Sequence, residues 1–208
     1  MEGETARFGI LGPLVVRTVD GRPVELRAAK PRALLAMLLL HANRPVSVDE
    51  LADALWPIKQ PRTAAGALRT HAWTVRTTLG LRGLVARPSG YQLDVAPQDL
   101  DTLVFDRLAR QGEEVAADGD LAAAVDAWGR ALRLWRGGVL AGMDLGPAAH
   151  AAVSELTERR YALVETWAQS ALAAGRHGQT LRPLATATAE QPLRERLHEL
   201  LMRALHRS

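Results

Sequence analysis

The chain has 208 residues, 48% of them hydrophobic, so it can form one large domain or two small ones with a packed core. It contains no cysteine, which excludes a disulfide framework and a thiolate metal site, and no apolar run approaches the roughly 20 residues of a membrane helix. The formal net charge of +3 favours an anionic partner, and the N-terminus "MEGETARFG" lacks the organisation of a signal peptide. We therefore expect a cytoplasmic protein.

The first 28 residues have the pattern of strands. Two β-rich runs lie at residues 7–11 (RFGIL) and 14–19 (LVVRTV). The turn signal Asp20-Gly21 then leads into an alternating run at residues 22–26 (RPVEL). We expect three short strands in this part of the chain.

Three helices are predicted next. The first presents one apolar face, formed by Leu34, Leu35, Leu38 and Leu39. The second begins with a capping box, in which Ser47 precedes Glu50 by three residues, and Pro57 ends it. Thr63 is the predicted N-cap of the third helix, and Gly80 is its C-terminal stop.

A β-hairpin is predicted after the helices. Residues 84–95 (LVARPSGYQLDV) place two β-rich runs around Pro88-Ser89-Gly90. Strands, three helices and a hairpin, in that order, are the outline of a winged helix-turn-helix domain. Helix-turn-helix outlines also occur in proteins that bind no DNA.

The composition changes to alanine-rich helix after Pro97. Ala124, Trp128 and Ala131 are spaced by four and three residues, and Thr180, Leu184 and Ala187 repeat that spacing, with Pro192 five residues further on. Small, large, small and then proline is the pattern of the second helix of a tetratricopeptide repeat. We therefore predict an α+β winged helix-turn-helix domain at residues 1–96, followed by an all-α, tetratricopeptide-like helical domain at residues 97–208.

Positive charge is concentrated in the first half of the chain. Residues 1–96 hold 13 basic and 8 acidic residues, whereas residues 97–208 hold 13 basic and 15 acidic residues. No acid lies between Asp53 and Asp94, although six basic residues do: Lys59, Arg62, Arg69, Arg76, Arg82 and Arg87. A local positive field of this kind is typical of a surface that meets a polyanion.

The third helix has an acid-free polar face. On a helical wheel, Leu68, Ala72, Val75 and Leu79 form the core stripe. The opposite side and its flanks hold Arg62, Gly66, Arg69, Thr70, Trp73, Thr74, Arg76 and Thr77. Arginine forks suit guanine and phosphate, and threonine can donate to phosphate or touch a thymine methyl, so we interpret this face as DNA-binding. The alternative interpretation is a solvated basic face.

Four residues near this helix carry separate interpretations. Trp73 is costly to expose, so it either stacks on sugar or base edges or folds against the hairpin or a partner chain. Arg87, near the hairpin tip, is a candidate wing contact with a minor groove or phosphate. Trp56 is interpreted as a core residue between helices, and His71 as a packing residue.

No catalytic constellation is evident in the sequence. There is no GxxxxGK[ST] phosphate loop, no nucleophile with a base beside it and no metal-spaced histidine cluster among the six histidines. The glycine-rich segment at residues 137–146 lacks the lysine of a phosphate cradle. We expect a protein that is not an enzyme and has no cofactor and no metal.

The C-terminal segment at residues 194–205 has the pattern of an amphipathic helix. Its apolar stripe consists of Leu197, Leu200, Leu201 and Leu205. Because no later helix in the sequence can cover this stripe, we expect it to pack on a second protomer or on sequence beyond this chain.

These segments together resemble the Streptomyces antibiotic regulatory proteins (SARPs). Their N-terminal winged helix is similar to residues 7–26, 30–57, 62–80 and 87–95, and their bacterial transcriptional activation domain is similar to residues 100–142 and 192–208. The resemblance implies a nucleoid-associated transcriptional activator, often of secondary-metabolite genes, that binds direct repeats in double-stranded promoter DNA as a side-by-side homodimer. It also implies contact with RNA polymerase holoenzyme through the loop formed by Pro57, Ile58, Lys59 and Gln60.

The resemblance assigns groove-facing positions to Gly66, Thr70, Trp73, Thr74, Arg76 and Thr77, and the wing position to Arg87. The chain departs from the family at three of them. A polar residue usually stands at Gly66, arginine at Thr74, and often a further base at Thr77. This weaker basic face leaves a second hypothesis open, a protein-interaction adaptor whose winged helix has lost specific DNA readout. Relatives generally continue past the position of Ser208, so we expect either a fragment of a longer regulator or a compact member.

Overall fold

A computed structural model describes residues 7–18 and 20–206. The predicted N-terminal segment 1–6, Val19 of the second predicted strand and the last two residues lie outside the described residues. The chain divides into two compact units. The first comprises the described residues up to Val104 together with Arg136–Leu156, and the second comprises Phe105–Trp135 and the described residues from Thr157 onward.

The N-terminal strands of the first unit are short. Strand β1 (Phe8–Gly9) pairs antiparallel with β2 (Val15–Val16). The third predicted strand, at residues 22–26, is reduced to an isolated bridge between Arg17 and Pro23, so that prediction is wrong. Two backbone bonds flank this bridge, from Thr18 N to Arg22 O at 2.8 Å and from Val24 N to Val16 O at 2.9 Å, and Pro23 has no N–H to donate to a longer ladder.

Three helices follow: α1 (Ala29–Leu40), α2 (Val48–Leu55) and α3 (Ala64–Leu79). The predicted capping box is confirmed, because Ser47 Oγ accepts from Glu50 N at 3.2 Å while the Glu50 carboxylate accepts from Ser47 N at 3.0 Å. The hydrogen bond from Ser47 lowers the pKa of Glu50. Helix α3 ends at Gly80, whose φ of 60° is the left-handed conformation that glycine favours.

Thr63 stands at the predicted N-cap position of α3, but its side chain makes no capping hydrogen bond.

A three-stranded antiparallel sheet completes this part of the unit: β3 (Val46–Ser47), β4 (Leu84–Arg87) and β5 (Gly90–Leu93), in the order β3-β5-β4. The predicted hairpin is therefore confirmed, whereas β3 was not predicted. A strand of two residues, the second of which is the N-cap Ser47 of α2, is too short to show strand periodicity.

The core of the first unit lies between α1, α2 and α3. Helix α1 is buried almost all round, and the predicted leucines Leu34, Leu35, Leu38 and Leu39 have at most 1% of their surface exposed. The predicted core stripe of α3 (Leu68, Ala72, Val75 and Leu79) is buried as well. This packing fixes which side of α3 faces outward.

The second unit is helical. Its elements are α4 (Asp101–Ala117), α5 (Leu121–Leu132), α6 (Gly146–Ala173), a 3-10 turn (His177–Gln179), α7 (Leu181–Glu190) and α8 (Glu195–His206), and the boundary between the units falls within α4 and α6. Ala124, Trp128 and Ala131 are buried on α5, as the repeat pattern predicts. Trp128 Nε1 donates to Ala109 O on α4 at 3.1 Å, which joins the two helices.

The prediction of an uncovered C-terminal stripe is wrong for two of its four leucines. Leu197 and Leu200 are fully buried within their own chain, because α7 packs against α8. Leu201 is half-buried, and Leu205 is 61% exposed. An interface on this helix would therefore use its outer edge, where Met202 is also exposed, rather than the predicted stripe.

The predicted division at residues 96 and 97 differs from the two compact units, because residues 97–104 and 136–156 belong with the N-terminal elements. The division into domains at that point stays a prediction. No helix in the described part of the chain is long and apolar enough to span a bilayer.

A buried carboxylate links distant segments of the first unit. Asp101 accepts hydrogen bonds from Ile10 N at 2.9 Å and Leu11 N at 3.0 Å, and it pairs with Arg136 at 3.2 Å. Burial raises the pKa of Asp101, and these bonds act in the opposite direction. Arg136 also donates to Pro13 O and, through its backbone, to Leu11 O.

We expect Asp101→Asn to destabilise the protein by about 1–3 kcal/mol, because the amide nitrogen cannot accept and one buried donor loses its partner. Urea denaturation measures the change. The exposed Asp118→Asn is the matched control and should change the free energy of unfolding by less than about 0.5 kcal/mol. Equal stability of the two variants would contradict a linking role for Asp101.

Candidate nucleic-acid interface

The outward side of α3 is a polar face without acids. Arg62, just before the helix, and Arg69, Thr70, Arg76 and Thr77 are exposed, and Gly66 and Thr74 are half-buried. Helix packing thus brings the sequence-predicted groove-facing residues onto one surface. The buried stripe on the other side of the helix, from Leu68 to Leu79, holds that surface to the core.

The threonine hydroxyls on this face are already used as donors. Thr70 Oγ1 donates to Gly66 O at 3.3 Å, Thr74 Oγ1 donates to Thr70 O at 3.0 Å, and Thr77 Oγ1 donates to Trp73 O at 2.9 Å. Each bond runs back along the helix to a carbonyl four residues earlier. Donation from these hydroxyls to phosphate, as the sequence suggested, would require the side chains to leave those carbonyls.

The arginines of this region divide into free and engaged groups. Arg62, Arg69 and Arg82 are exposed and make no hydrogen bond or ion pair to the described part of the chain. Arg76 is different, because its Nη2 donates to Leu84 O at 2.8 Å and so ties α3 to strand β4. Part of the Arg76 guanidinium therefore has a structural role.

Trp73 is 63% exposed, which makes it one of the most exposed large apolar side chains in the described chain. Most of the indole therefore faces solvent, and packing of Trp73 against the hairpin would leave that area uncovered. Stacking on a nucleic acid and packing on a partner chain remain open. Either one would cover apolar area that now faces water.

Arg87 lies at the tip of the hairpin, where it is exposed. Its Nε donates to Gln92 Oε1 at 3.1 Å, and Gln92 donates in turn to Asp94. Sequence reasoning missed Gln92. The hairpin register could have identified it, because Gln92 pairs with Val85, and Arg87 is therefore its diagonal neighbour on the same face.

The inner edge of α3 is formed by packed rings. His71 lies against Trp56 with ring centroids 5.9 Å apart, and the Lys30 ammonium lies 5.9 Å from the Trp56 ring. Lys30 also donates to Leu55 O at the end of α2. Burial, and then the charge of Lys30, lowers the pKa of His71, which keeps the imidazole neutral and suited to packing.

The loop between α2 and α3 projects into solvent. Pro57, Ile58, Lys59 and Gln60 are all exposed, and Ile58 is 98% exposed. Gln60 Nε2 donates to Asp53 Oδ1 at 2.7 Å, which anchors the loop to α2. A fully exposed isoleucine beside a lysine gives this loop an apolar tip with a positive flank.

Gly66 has no packing reason within its own chain. A Cβ at this position would meet Thr63 at 3.7 Å, an ordinary van der Waals distance. Gly112 on α4 contrasts with it, because a Cβ there would lie 2.2 Å from Trp128 Nε1. Since glycine is a weaker helix former than alanine, its presence in the first turn and on the outward face of α3 fits close approach by another molecule.

Comparisons with known proteins place the chain among transcription regulators. Residues 100–208 match the bacterial transcriptional activator domain family. The chain is 35% identical over 213 residues to regulatory protein DnrI of Streptomyces peucetius, covering 97% of this chain and 78% of that protein. It belongs to the SARP-type family of transcriptional activators.

Two further comparisons extend this result. The chain is 42% identical over 208 residues to regulatory protein AfsR of Streptomyces coelicolor, and it spans 21% of that protein's length. The solved structure of Mycobacterium tuberculosis EmbR, in complex with a low-affinity phosphopeptide, is similar with a TM-score of 0.86 and 33% identity. That similarity covers 96% of this chain and 54% of the EmbR chain.

We expect Gly66→Ala to stabilise the protein by about 0.5–1 kcal/mol, because alanine is the better helix former and has room for its methyl group. If α3 approaches DNA closely, the same variant binds DNA more weakly. Thermal unfolding and DNA titration measure the two effects separately.

The control is Gly112→Ala, which should destabilise the protein by about 1–3 kcal/mol because the methyl group overlaps the buried Trp128 indole. A Gly66→Ala variant that is more stable and binds DNA unchanged would rule out close approach at this position.

Proposed function

We propose that the first unit is a winged helix-turn-helix DNA-binding domain and that the chain activates transcription by binding promoter DNA. The observation that carries this proposal is the outward face of α3, which combines unpaired arginines with an absence of acids between Asp53 and Asp94. Helix α3 enters the major groove, and the β4–β5 hairpin is the wing. The backbone phosphates would repel an acid on that face, which accounts for the absence.

The residues proposed to contact DNA have separate roles. Arg62 and Arg69 are free to contact phosphate or guanine, and Trp73 covers sugar or base edges. Arg87, oriented by Gln92, reaches the adjacent minor groove or its phosphates. The hydroxyls of Thr70, Thr74 and Thr77 already donate to helix carbonyls. We therefore expect contacts with phosphates and with the shape of the duplex to contribute more to binding than hydrogen bonds from these hydroxyls to bases.

We further propose that two copies bind side by side on direct repeats in double-stranded promoter DNA, as the SARP resemblance implies. The exposed loop at residues 57–60 contacts RNA polymerase holoenzyme. Ile58 supports this contact, because its side chain is 98% exposed and a partner surface would remove that apolar area from water. Selection of bound sequences from a random DNA pool tests the first part, with enriched direct repeats as the expected result.

We expect Arg69→Ala to weaken binding to selected promoter DNA by about 1–3 kcal/mol if Arg69 reads a base. If it contacts phosphate, the slope of log affinity against log salt falls by about one. Fluorescence anisotropy at several salt concentrations distinguishes these results.

Arg110→Ala is the matched control, because it removes one exposed positive charge from α4 in the second unit. Its affinity and salt slope should equal those of the unchanged protein. A triple variant combines Arg69→Ala with Arg76→Ala and Arg87→Ala. If its DNA affinity and salt slope also equal those of the unchanged protein, these arginines do not read DNA and the adaptor hypothesis replaces this proposal.

We expect Ile58→Asp to abolish activation while the protein still binds promoter DNA, because a charge at the loop tip opposes apolar contact with polymerase. Transcription in vitro with purified RNA polymerase holoenzyme measures activation, and anisotropy measures DNA binding. Leu193→Asp is the control, because Leu193 is 95% exposed but lies in the second unit. Activation by the Ile58→Asp variant at the normal level would contradict the contact.

A further inference from the structure

The second unit contains a cavity that the proposed DNA and polymerase contacts do not use. Its volume is about 730 Å³, and it opens between α5, α6 and α7. This volume lies within the range of about 300–1,000 Å³ for pockets that hold one small molecule. All of its lining residues belong to the second unit.

The inner wall of the cavity is apolar. Val125, Val164, Trp167 and Ala187 are buried and line it. Gly129 lies in the last turn of α5, and a Cβ there would come within 3.4 Å of Trp167 Nε1. The missing side chain leaves the space beside the indole open, which a flat apolar group can occupy.

The rim of the cavity is strongly basic. Arg130, Arg133 and Arg182 line it, are exposed and make no ion pair with the described part of the chain. The one acidic lining residue, Asp126, accepts from Arg176 at 2.6 Å, so its charge is compensated. The cavity therefore has three guanidinium groups that lack an anion.

The fourth arginine of the cavity, Arg160, has its own partners. Its Nη1 donates to Glu190 at 2.8 Å, and its guanidinium lies 5.2 Å from the centre of the Trp135 ring. Arg160 and Trp135 thus form a preorganised part of the wall, fixed without a ligand. Preorganised walls reduce the entropy lost when a ligand binds.

We propose that this cavity binds a small amphipathic anion, with an apolar ring body against Trp167 and a carboxylate held by Arg133 and Arg182. Charge complementarity supports the anion, because arginine forks match carboxylates and no uncompensated acid lines the cavity. The volume supports a single small molecule. This site is independent of DNA binding, so either proposal can fail without the other.

Isothermal titration of the full chain with naphthalene-2-carboxylate and with its neutral analogue naphthalene-2-carboxamide tests the proposal. The carboxylate should bind with a stoichiometry of one and about tenfold more tightly than the carboxamide, as expected for a charge-assisted hydrogen bond. Quenching of tryptophan fluorescence should follow the same curve, because Trp135 and Trp167 line the cavity.

Variants locate the binding. The double variant Arg133→Ala with Arg182→Ala should lower the carboxylate affinity to that of the carboxamide and leave the carboxamide affinity unchanged. Thr186→Trp, at an exposed lining position, should block both compounds. Arg110→Ala, which removes an exposed arginine outside the cavity, should change neither affinity.

Three results would overturn the site. They are the absence of saturable binding, equal affinity for the acid and the amide, and unchanged binding of both compounds to the Thr186→Trp variant. Thermal unfolding of each variant checks that it is folded, and the lining positions changed are all exposed.

Discussion

The first unit depends on one buried carboxylate. Asp101 receives hydrogen bonds from the backbone of Ile10 and Leu11, and it pairs with Arg136, so three segments that are far apart in the sequence meet at one group. Burial of this charge is unfavourable by itself and raises the pKa of Asp101, and the hydrogen bonds from its three donors reduce that cost. The compact unit is discontinuous in sequence because residues near 136 return to the N-terminal strands at this point.

Local features of the fold could be predicted because their causes lie within a few residues. The capping box at Ser47, the left-handed stop at Gly80 and the β4–β5 hairpin each depend on neighbours in the chain. The contact between Asp101 and Ile10 spans 91 residues, and no periodicity encodes it. The two leucines Leu197 and Leu200 show the same limit, since their pattern marks an apolar stripe but does not say which helix covers it.

The candidate site follows the same division. Helical periodicity was sufficient to place the outward face of α3, because burial of Leu68 and Val75 determines the opposite side. Periodicity was not sufficient to predict which hydrogen bonds each side chain on that face makes. The threonine hydroxyls donate to helix carbonyls, and Arg76 donates to Leu84 O, because the fold places those acceptors within hydrogen-bond distance. The residue types therefore indicated which side chains can donate hydrogen bonds to DNA, and the geometry shows which of those donors are not already bonded within the protein.

The bond from Arg76 to Leu84 O has a mechanical consequence. It joins the last turn of α3 to strand β4, so the helix and the β4–β5 hairpin are restrained to move as one body. In the proposed binding mode, these are the two parts that reach successive grooves of the duplex. If α3 and the hairpin keep a fixed separation, their binding depends on the twist and groove width of the DNA between the two contacts. Twist and groove width depend in turn on base steps that the protein does not touch. Sequence preference could then arise from the flexibility of the duplex, even where few side chains are free to contact a base.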